Sequence, residues 1–258
     1  LAGGQYQMDA SPVTYDGTVT GIALLLFDVT EKMQAEQHRR EFTANVSHEL
    51  KTPLQSISGY AELMAQGIAA PTDMVPFSEK IHTEAQRMIR LVEDILRLSR
   101  LDEGAGRMNR TSVDLLEKAR DAVDGLTPQA QQAQVELKLE GSSVTLDSIP
   151  ELIAGIMTNL CSNAIKYNRP GGSVTVRVGK TDSHAFLEVA DTGIGIPPEH
   201  QSRIFERFYR VDNSRSKSVG GTGLGLSIVK HTVQVLDGKI DLKSTPGEGT
   251  TITVTFPL

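Results

Sequence analysis

Tryptophan is absent from this 258-residue chain, and aromatic residues amount to only 5%. Leu, Ile and Val must therefore build its core. Cysteine occurs once, as Cys161, which excludes an internal disulfide framework and any multi-cysteine metal site. A lone thiol fits a reducing compartment. Long hydrophobic runs are missing too: the longest, Ile22–Phe27, falls far short of the ~20 residues that span a bilayer. No signal peptide is visible. Nor is there an excess of positive charge, since 26 Lys and Arg face 32 Asp and Glu for a net charge of −6. That balance gives no electrostatic footing for nucleic acid or an anionic membrane. What is present is ordinary: 39% hydrophobic and 22% charged residues, at a length that suits one or two compact domains plus connecting elements. The chain opens on Leu1 without helix or strand logic at the start. It reads as the cytoplasmic fragment of a longer protein, with a membrane anchor expected only upstream.

Three regions follow one another. Residues 1–30 are β-rich, with a strand at Gln5–Met8, a turn at Tyr15-Asp16-Gly17 and a β-branched, apolar stretch at Val19–Val29. Thr30 can N-cap a helix, although Met33 stands where a capping box needs Glu. Phe42, Val46, Leu50, Leu54, Ile57, Ala61 and Met64 then recur every three or four residues until Gly67 and Pro71 stop the helix. Thr72 or Asp73 can cap a second helix. Its stripe is Met74, Phe77, Ile81, Met88, Leu91, Ile95 and Leu98, ending at Gly104 and Gly106. Two helices cannot enclose so long a seam, so a dimeric four-helix bundle is the economical solution. The alternative is that both helices pack on their own C-terminal domain. Residues 107–258 read as α/β: a helix over Val113–Asp124, strands at Val135–Leu139 and Val144–Leu146, a helix over Pro150–Tyr167, strands at Ser173–Val178 and Ala185–Ala190, a helix near Leu226–Leu236, and closing strands at Lys239–Leu242 and Thr250–Phe256. This order suggests an open sheet with one helical face.

Chemistry-bearing residues sit in both halves. On a wheel at ~100° per residue with Val46 at zero, Leu50 falls near 40° and His48 near 200°, so His48 points away from the seam. Thr52 shares its face and Glu49 flanks it. Pro53 lies inside the helical run, where it removes a backbone hydrogen bond and favours a bend. A neutral imidazole is a competent nucleophile, and a neighbouring carboxylate can hold its tautomer or take its proton. In the C-terminal half, Asn159 and Asn163 share a helical face, with Lys166 one turn on. Amide oxygens suit Mg²⁺ and a lysine suits phosphate. Asp191 ends a strand ahead of Thr-Gly-Ile-Gly-Ile-Pro197, where it can accept from an exocyclic amine such as that of adenine, and Gly193 and Gly195 allow close backbone approach. Arg203-Ile-Phe-Glu-Arg-Phe-Tyr-Arg210 offers aromatics and cations. Gly220-Gly-Thr-Gly-Leu-Gly-Leu226 opens a helix, as an anion cradle does. No Gly-Lys-Ser/Thr follows it, so it is not a Walker loop. The polar stretch Val211–Val219 between these segments reads as a lid.

Phe42-Thr-Ala-Asn-Val-Ser-His-Glu-Leu-Lys-Thr-Pro-Leu54 is similar to the H box of sensor histidine kinases. Asn159–Tyr167, Asp191–Pro197, Arg203–Arg210 and Gly220–Leu226 resemble, in order, the N, G1, F and G2 boxes of the same family. The resemblance covers residues 31–258. It implies a multidomain fold, with a helical hairpin forming a dimeric four-helix bundle followed by an α/β sandwich of the GHKL (Bergerat) ATPase type, related to gyrase and MutL. Residues 1–30 resemble the last strands of a PAS sensor domain, and Phe27-Asp-Val-Thr30 is similar to the junction where such domains pass into a signalling helix. The domains implied are thus 1–30, 31–104 and 107–258. Asn168 departs from the pattern, since many relatives have a hydroxyl there.

By the same resemblance His48 is phosphorylated from ATP, Glu49 is its acid/base partner, and Thr52 positions water for a phosphatase activity. Asn163 coordinates Mg²⁺ with Asn159 in support, and Lys166, Tyr167 and Arg210 contact phosphates or ribose. Asp191 reads adenine, with Gly193 and Gly195 beside it. Gly221, Thr222, Gly223, Leu224 and Gly225 form the lid and phosphate loop. The implied partners are a second copy of the chain and the receiver aspartate of a response regulator, with no nucleic acid. Two other readings stay open: a gyrase- or chaperone-type ATPase performing conformational work, and a degenerate kinase serving as a dimeric scaffold.

Overall fold

The computed structural model describes residues 4–102, 109–211 and 221–258. The stop read at Gly104 and Gly106, Gly220, and the polar stretch beyond Val211 lie outside the described residues. The chain divides into two compact units, Leu1–Gln55 and Ser56–Leu258.

The first unit holds an antiparallel hairpin of β1 (Tyr6–Tyr15) and β2 (Thr18–Asp28), followed by helix α1 (Thr30–Ala65), which continues into the second unit. The strands are longer than the sequence suggested because Asp16 and Gly17 both adopt positive φ, 49° and 76°. That is the geometry of a tight hairpin turn whose twist matches the strands. Thr30 does not cap α1 as expected. Its N–H donates to the Asp28 carboxylate at 3.0 Å, and its hydroxyl accepts from the Gln5 N–H at 2.8 Å. Asp28 therefore meets the helix start, and hydrogen bonding from Thr30 holds its carboxyl below the ordinary range. α1 runs unbroken through Pro53.

The second unit begins with the end of α1. Gly67, at φ 68°, supplies the left-handed residue that closes a helix; the Ile68 N–H reaches the Leu63 carbonyl at 3.1 Å. A short 3₁₀ turn, Pro71–Asp73, precedes α2 (Met74–Asp102). Asp73 reaches back to the Ala70 N–H at 3.2 Å, rather than forward into the helix as a cap. Tyr60 of α1 and Phe77 of α2 pack with ring centroids 5.0 Å apart.

α2 carries two apolar stripes where the sequence suggested one. With Asp94 at zero on a wheel of ~100° per residue, Leu91, Leu98 and Leu101 fall between about −20° and 60°. All three are buried, and this side of α2 packs on the C-terminal α/β part of the same chain. Ile89, Val92 and Leu96 fall on the opposite side and are exposed. The alternative in which the second helix packs on the C-terminal part of its own chain thus holds for the Leu91, Leu98 and Leu101 face, and the opposite face is exposed.

The remainder is a layered α/β unit. Its elements are β3 (Thr111–Asp114), α3 (Leu115–Gln132), β4 (Glu136–Gly141), β5 (Thr145–Ser148), α4 (Pro150–Lys166), β6 (Ser173–Lys180), β7 (His184–Asp191), a short α5 (Pro198–Gln201), α6 (Gly225–Val235), β8 (Lys239–Thr245) and β9 (Gly249–Pro257). A five-stranded sheet has the order β4-β6-β7-β9-β8, with only β4 and β6 parallel. β3 and β5 form a separate antiparallel ribbon. Val113 therefore belongs to a strand, not to the predicted helix. The helix starts two residues later, where the Asp114 carboxylate accepts from the N–H groups of Leu116 and Glu117 at 2.8 and 3.3 Å. Alternate residues of β6, β7 and β9 are buried, so one sheet face is covered by helices and the other meets solvent, as the sequence suggested. Val174, Val176, Leu187, Val254 and Phe256 of the sheet and Ile153, Ile156, Met157, Leu160 and Val229 of the helices are all buried, in a core without tryptophan.

Candidate active site

Each of the four pocket segments lies where strand or helix ends bring backbone together. α4 presents Asn159 and Asn163 toward the start of α6. A Cβ on Gly225 would lie 2.9 Å from the Asn159 Oδ1 and 3.9 Å from the Asn163 Nδ2. Asn159 is held by its own helix, donating to the Gly155 carbonyl at 2.9 Å. At the end of α4, Lys166 places its Nζ 2.6 Å from where a Gly221 Cβ would stand, and 5.3 Å from the Tyr167 ring centroid. The Asn and Lys faces of α4 and the glycine-rich loop therefore form one surface.

The Asp191 turn closes on the same helix end. Gly193 donates its N–H to Asp191 Oδ1 at 2.8 Å, and the Ile194 N–H donates to the Tyr167 carbonyl at 3.1 Å. A Cβ on Gly193 would come within 2.4 Å of that carbonyl, and one on Gly195 within 2.1 Å of the Thr245 carbonyl. Gly195 also sits at φ 68°, so both glycines are required by crowding and one by conformation as well. The Thr250 N–H, on β9, donates to the same Asp191 oxygen at 3.2 Å. Burial raises the Asp191 carboxyl despite these two donors.

The Arg203–Arg210 segment joins the glycine-rich loop through backbone. Phe208 has φ 65°, a strained conformation for an aromatic residue. Its N–H donates to the Gly223 carbonyl at 2.9 Å. Gly223 answers with φ 73° and would place a Cβ 2.9 Å from the Phe208 Cα. Tyr209 is fixed beside it by the His200 Nδ1 at 2.6 Å, and the Arg203 guanidinium stacks 4.3 Å from its ring.

Electrostatically the surface is cationic at its centre. Burial, then the charges of Arg210, Arg90 and Arg87, push Lys166 down to about 8. Arg87 and Arg90 come from α2, so that helix adds positive charge to this part of the surface. Thr222, the hydroxyl within the loop, is also tied to α2: it donates to Asp94 Oδ2 at 2.7 Å. The sequence reading had no signal for this bond.

On α1, His48 is exposed and Glu49 is half-buried. The Thr52 hydroxyl donates to the His48 carbonyl at 3.3 Å. One and two turns earlier, Ser47 donates to the Thr43 carbonyl at 2.9 Å and Thr43 to the Arg39 carbonyl at 3.0 Å. Pro53 has no N–H for the Glu49 carbonyl. Hydroxyl back-bonds and a helical proline thus share the stretch that carries the imidazole. His48, Glu49 and Thr52 belong to the first unit, whereas the four pocket segments belong to the second.

Residues 38–104 match the family described as His Kinase A (phospho-acceptor) domain. Residues 148–258 match that of the Histidine kinase-, DNA gyrase B-, and HSP90-like ATPase. The chain belongs to the sensor histidine kinases. Over 245 residues the chain is 38% identical to the sensor histidine kinase WalK of Bacillus subtilis, an alignment that takes in 93% of the chain and 40% of the relative. It therefore spans less than half the length of that protein. The solved structure of full-length ShkA in complex with AMPPNP is 27% identical with a TM-score of 0.63, covering 84% of this chain and 45% of the other. Histidine kinase ThkA, solved in complex with the response regulator protein TrrA, matches all of this chain and 76% of its own with a TM-score of 0.68. At 21% identity that likeness is one of fold.

Sequence reasoning missed Thr250 and Ser244. Ser244 donates to the Gly249 carbonyl at 3.0 Å, exchanges a hydrogen bond with Thr250 at 2.8 Å, and accepts from the Ile196 N–H at 2.8 Å. Together they buttress the Asp191 turn from β8 and β9. A hydroxyl pair in two strands has no local signature, although the Gly249-Thr250 step opening a strand was a cue. Cys161 lies fully buried in α4, and burial pushes its thiol up to about 12, so it serves as a small hydrophobe of the core.

Proposed function

We propose that this chain uses ATP to phosphorylate His48 and passes the phosphoryl group to an aspartate on a response regulator. The observation that carries the reading is the convergence of Asn163, Lys166, Asp191 and the Gly221–Gly225 loop on one surface of a chain that also exposes His48 beside Glu49. Asp191, with Oδ1 held by two backbone donors, reads the adenine amine. Lys166 and Arg210 neutralise phosphate charge. The Gly223–Phe208 backbone bond shapes the loop for close approach. Asn163 offers a side-chain amide, and among the described residues no three His, Cys, Asp or Glu side chains cluster for a metal. That donor set fits a Mg²⁺ whose remaining ligands are phosphate oxygens and water. Such an ion would neutralise charge on the transferring group.

In the transfer, an imidazole nitrogen of His48 attacks the γ-phosphorus, the bond to the ADP oxygen breaks, and Glu49 accepts the imidazole proton. Thr52 serves the reverse duty: with its hydroxyl released from the His48 carbonyl, it orients a water for dephosphorylation of the regulator. The exposed Ile89, Val92 and Leu96 face of α2 joins a second copy in a four-helix bundle. Residues 1–30 form the end of a PAS-like sensor domain, residues 31–104 the signalling helix and phosphotransfer hairpin, and residues 107–258 the ATP-binding domain. No helix among the described residues is long and apolar enough to cross a membrane; the anchor belongs to a part of the parent protein outside this sequence.

The test is acid-labile labelling from γ-labelled ATP in mixed dimers, one subunit His48→Gln and the other Asn163→Asp. Label in the mixture but in neither parent supports both active residues and the dimer. Label on His48→Gln alone overturns the phosphoacceptor assignment.

A further inference from the structure

The Asp94–Thr222 bond joins α2 to the loop expected to hold phosphate. Thr222 is engaged twice: its hydroxyl donates to Asp94 Oδ2 at 2.7 Å and accepts from the Leu224 N–H at 3.3 Å. Leu224 directly precedes α6, and amides at a helix N-terminus are the donors that anions use. Here one of those donors is turned toward a hydroxyl that a carboxylate orients. Two helical turns along the same face of α2, Asp102 receives Arg207 at 3.1 Å and His231 at 3.5 Å. Along this face Leu91, one turn before Asp94, and Leu98 and Leu101, between the two carboxylates, are buried, each at most 3% exposed. Beside them an Arg97 nitrogen comes within 3.7 Å of where a Gly155 Cβ would stand.

We propose that Asp94 and Asp102 form a two-point latch that docks the ATP-binding domain on α2, and that docking and nucleotide binding oppose each other through Asp94. The inference rests on reading Gly221–Gly225 as the phosphate loop. A polyphosphate entering the loop needs the Leu224 N–H and cannot share it freely with Thr222. It also meets the Asp94 carboxylate, a like charge. Arg87 and Arg90 attract phosphate and soften that repulsion, but they do not restore the occupied donor. Because coupling between two binding events is reciprocal, nucleotide that disfavours the latch also loosens the domain from α2. ATP thus does more than supply the phosphoryl group: its arrival frees the domain to move. Asp94 also lies unfavourably, since burial raises its carboxyl despite the Thr222 hydrogen bond. An unfavourably placed carboxylate fits a contact made to be broken.

The experiment is calorimetry of the whole chain with Mg²⁺ and a non-hydrolysable ATP analogue. Wild-type affinity checks the function reading by itself; the ratios between variants check the latch. Asp94→Ala should tighten binding by about five- to tenfold, the lower end of common coupling strengths. Asp94→Asn keeps an acceptor without the charge and should fall between. Asp102→Asn touches no part of the loop and should tighten binding by about twofold, because it weakens docking alone. In wild type, the analogue should also speed amide hydrogen exchange around the docked face of α2. Unchanged or weaker binding in Asp94→Ala overturns the proposal. So does an Asp102→Asn protein that binds like wild type, or exchange in α2 that ignores nucleotide.

Discussion

The pocket and the phosphoacceptor helix are built on opposite principles. In the pocket, backbone is crowded against backbone. Gly193, Gly195 and Gly223 each leave no room for a Cβ, and Phe208 accepts a strained φ to meet Gly223. Around His48 the ring is exposed, and the hydroxyls of Thr43, Ser47 and Thr52 bond one turn back along their own helix. A nucleotide must be gripped through its backbone-facing edges, which demands fixed geometry. A nucleophile visited in turn by two partners, the role proposed for His48, must stay open. Substitutions in the pocket should therefore disturb folding and binding together, whereas substitutions on α1 should disturb chemistry alone.

The sharpest separation comes from His48→Gln. It should abolish acid-labile, base-stable phosphorylation entirely while leaving analogue affinity within about twofold and Tm within about 1 °C, since a surface change of this kind costs within ~0.5 kcal/mol. A matching loss of affinity in calorimetry would break the comparison. Next is Gly195→Ala. Its Cβ would meet the Thr245 carbonyl at 2.1 Å from a residue at φ 68°, so destabilisation of about 2–4 kcal/mol is expected in urea unfolding, with nucleotide binding lost as well.

The sequence announced these glycines because each lies within a short contiguous run, where spacing alone signals close approach. The Asn159–Asn163–Lys166 face was legible for a similar reason, being set by helical period. What was hidden depends on distance in the chain. Thr250 supports Asp191 from 59 positions away and Thr222 meets Asp94 across 128, so neither bond leaves a local pattern. The start of α3 was misplaced because Val113 fits both a helical stripe and a short strand, and only pairing with Leu146 decides it. On α2 the stripe read from the sequence held the buried Leu91 and Leu98 but passed over Ile89, Val92 and Leu96, which line the exposed opposite side, since a search for one periodic stripe does not register a second.

A third prediction uses pH. Lys166 is held near 8 in the folded chain against an ordinary value of 10.5. Below pH 8 it is charged and attracts phosphate; above 8 it loses its proton, which bound phosphate would help it keep. Analogue affinity should thus fall as pH rises from 8, by up to about tenfold per unit, and Lys166→Met should flatten that slope. The sign for stability is opposite. A lysine whose pKa is lowered by folding disfavours the folded state while charged, so Lys166 opposes folding below 8 and ceases to do so as pH climbs toward 10.5. The smallest effect is expected from Thr52→Ala. It removes one exposed back-bond, should leave autophosphorylation within about twofold, and should slow regulator dephosphorylation about tenfold or more, as loss of a positioning group does. Equal loss of both rates would show that Thr52 shapes the helix instead.

The sealed thiol at Cys161 has a practical consequence. With its sulfur fully covered and reluctant to ionise, and with no indole anywhere in the chain, the protein carries almost no background for site-directed probes. A single cysteine introduced on α2 or at the loop would take up a maleimide dye selectively, and a single added tryptophan would be the sole indole emitter. Movement of the domain could then be followed in real time on an otherwise native sequence.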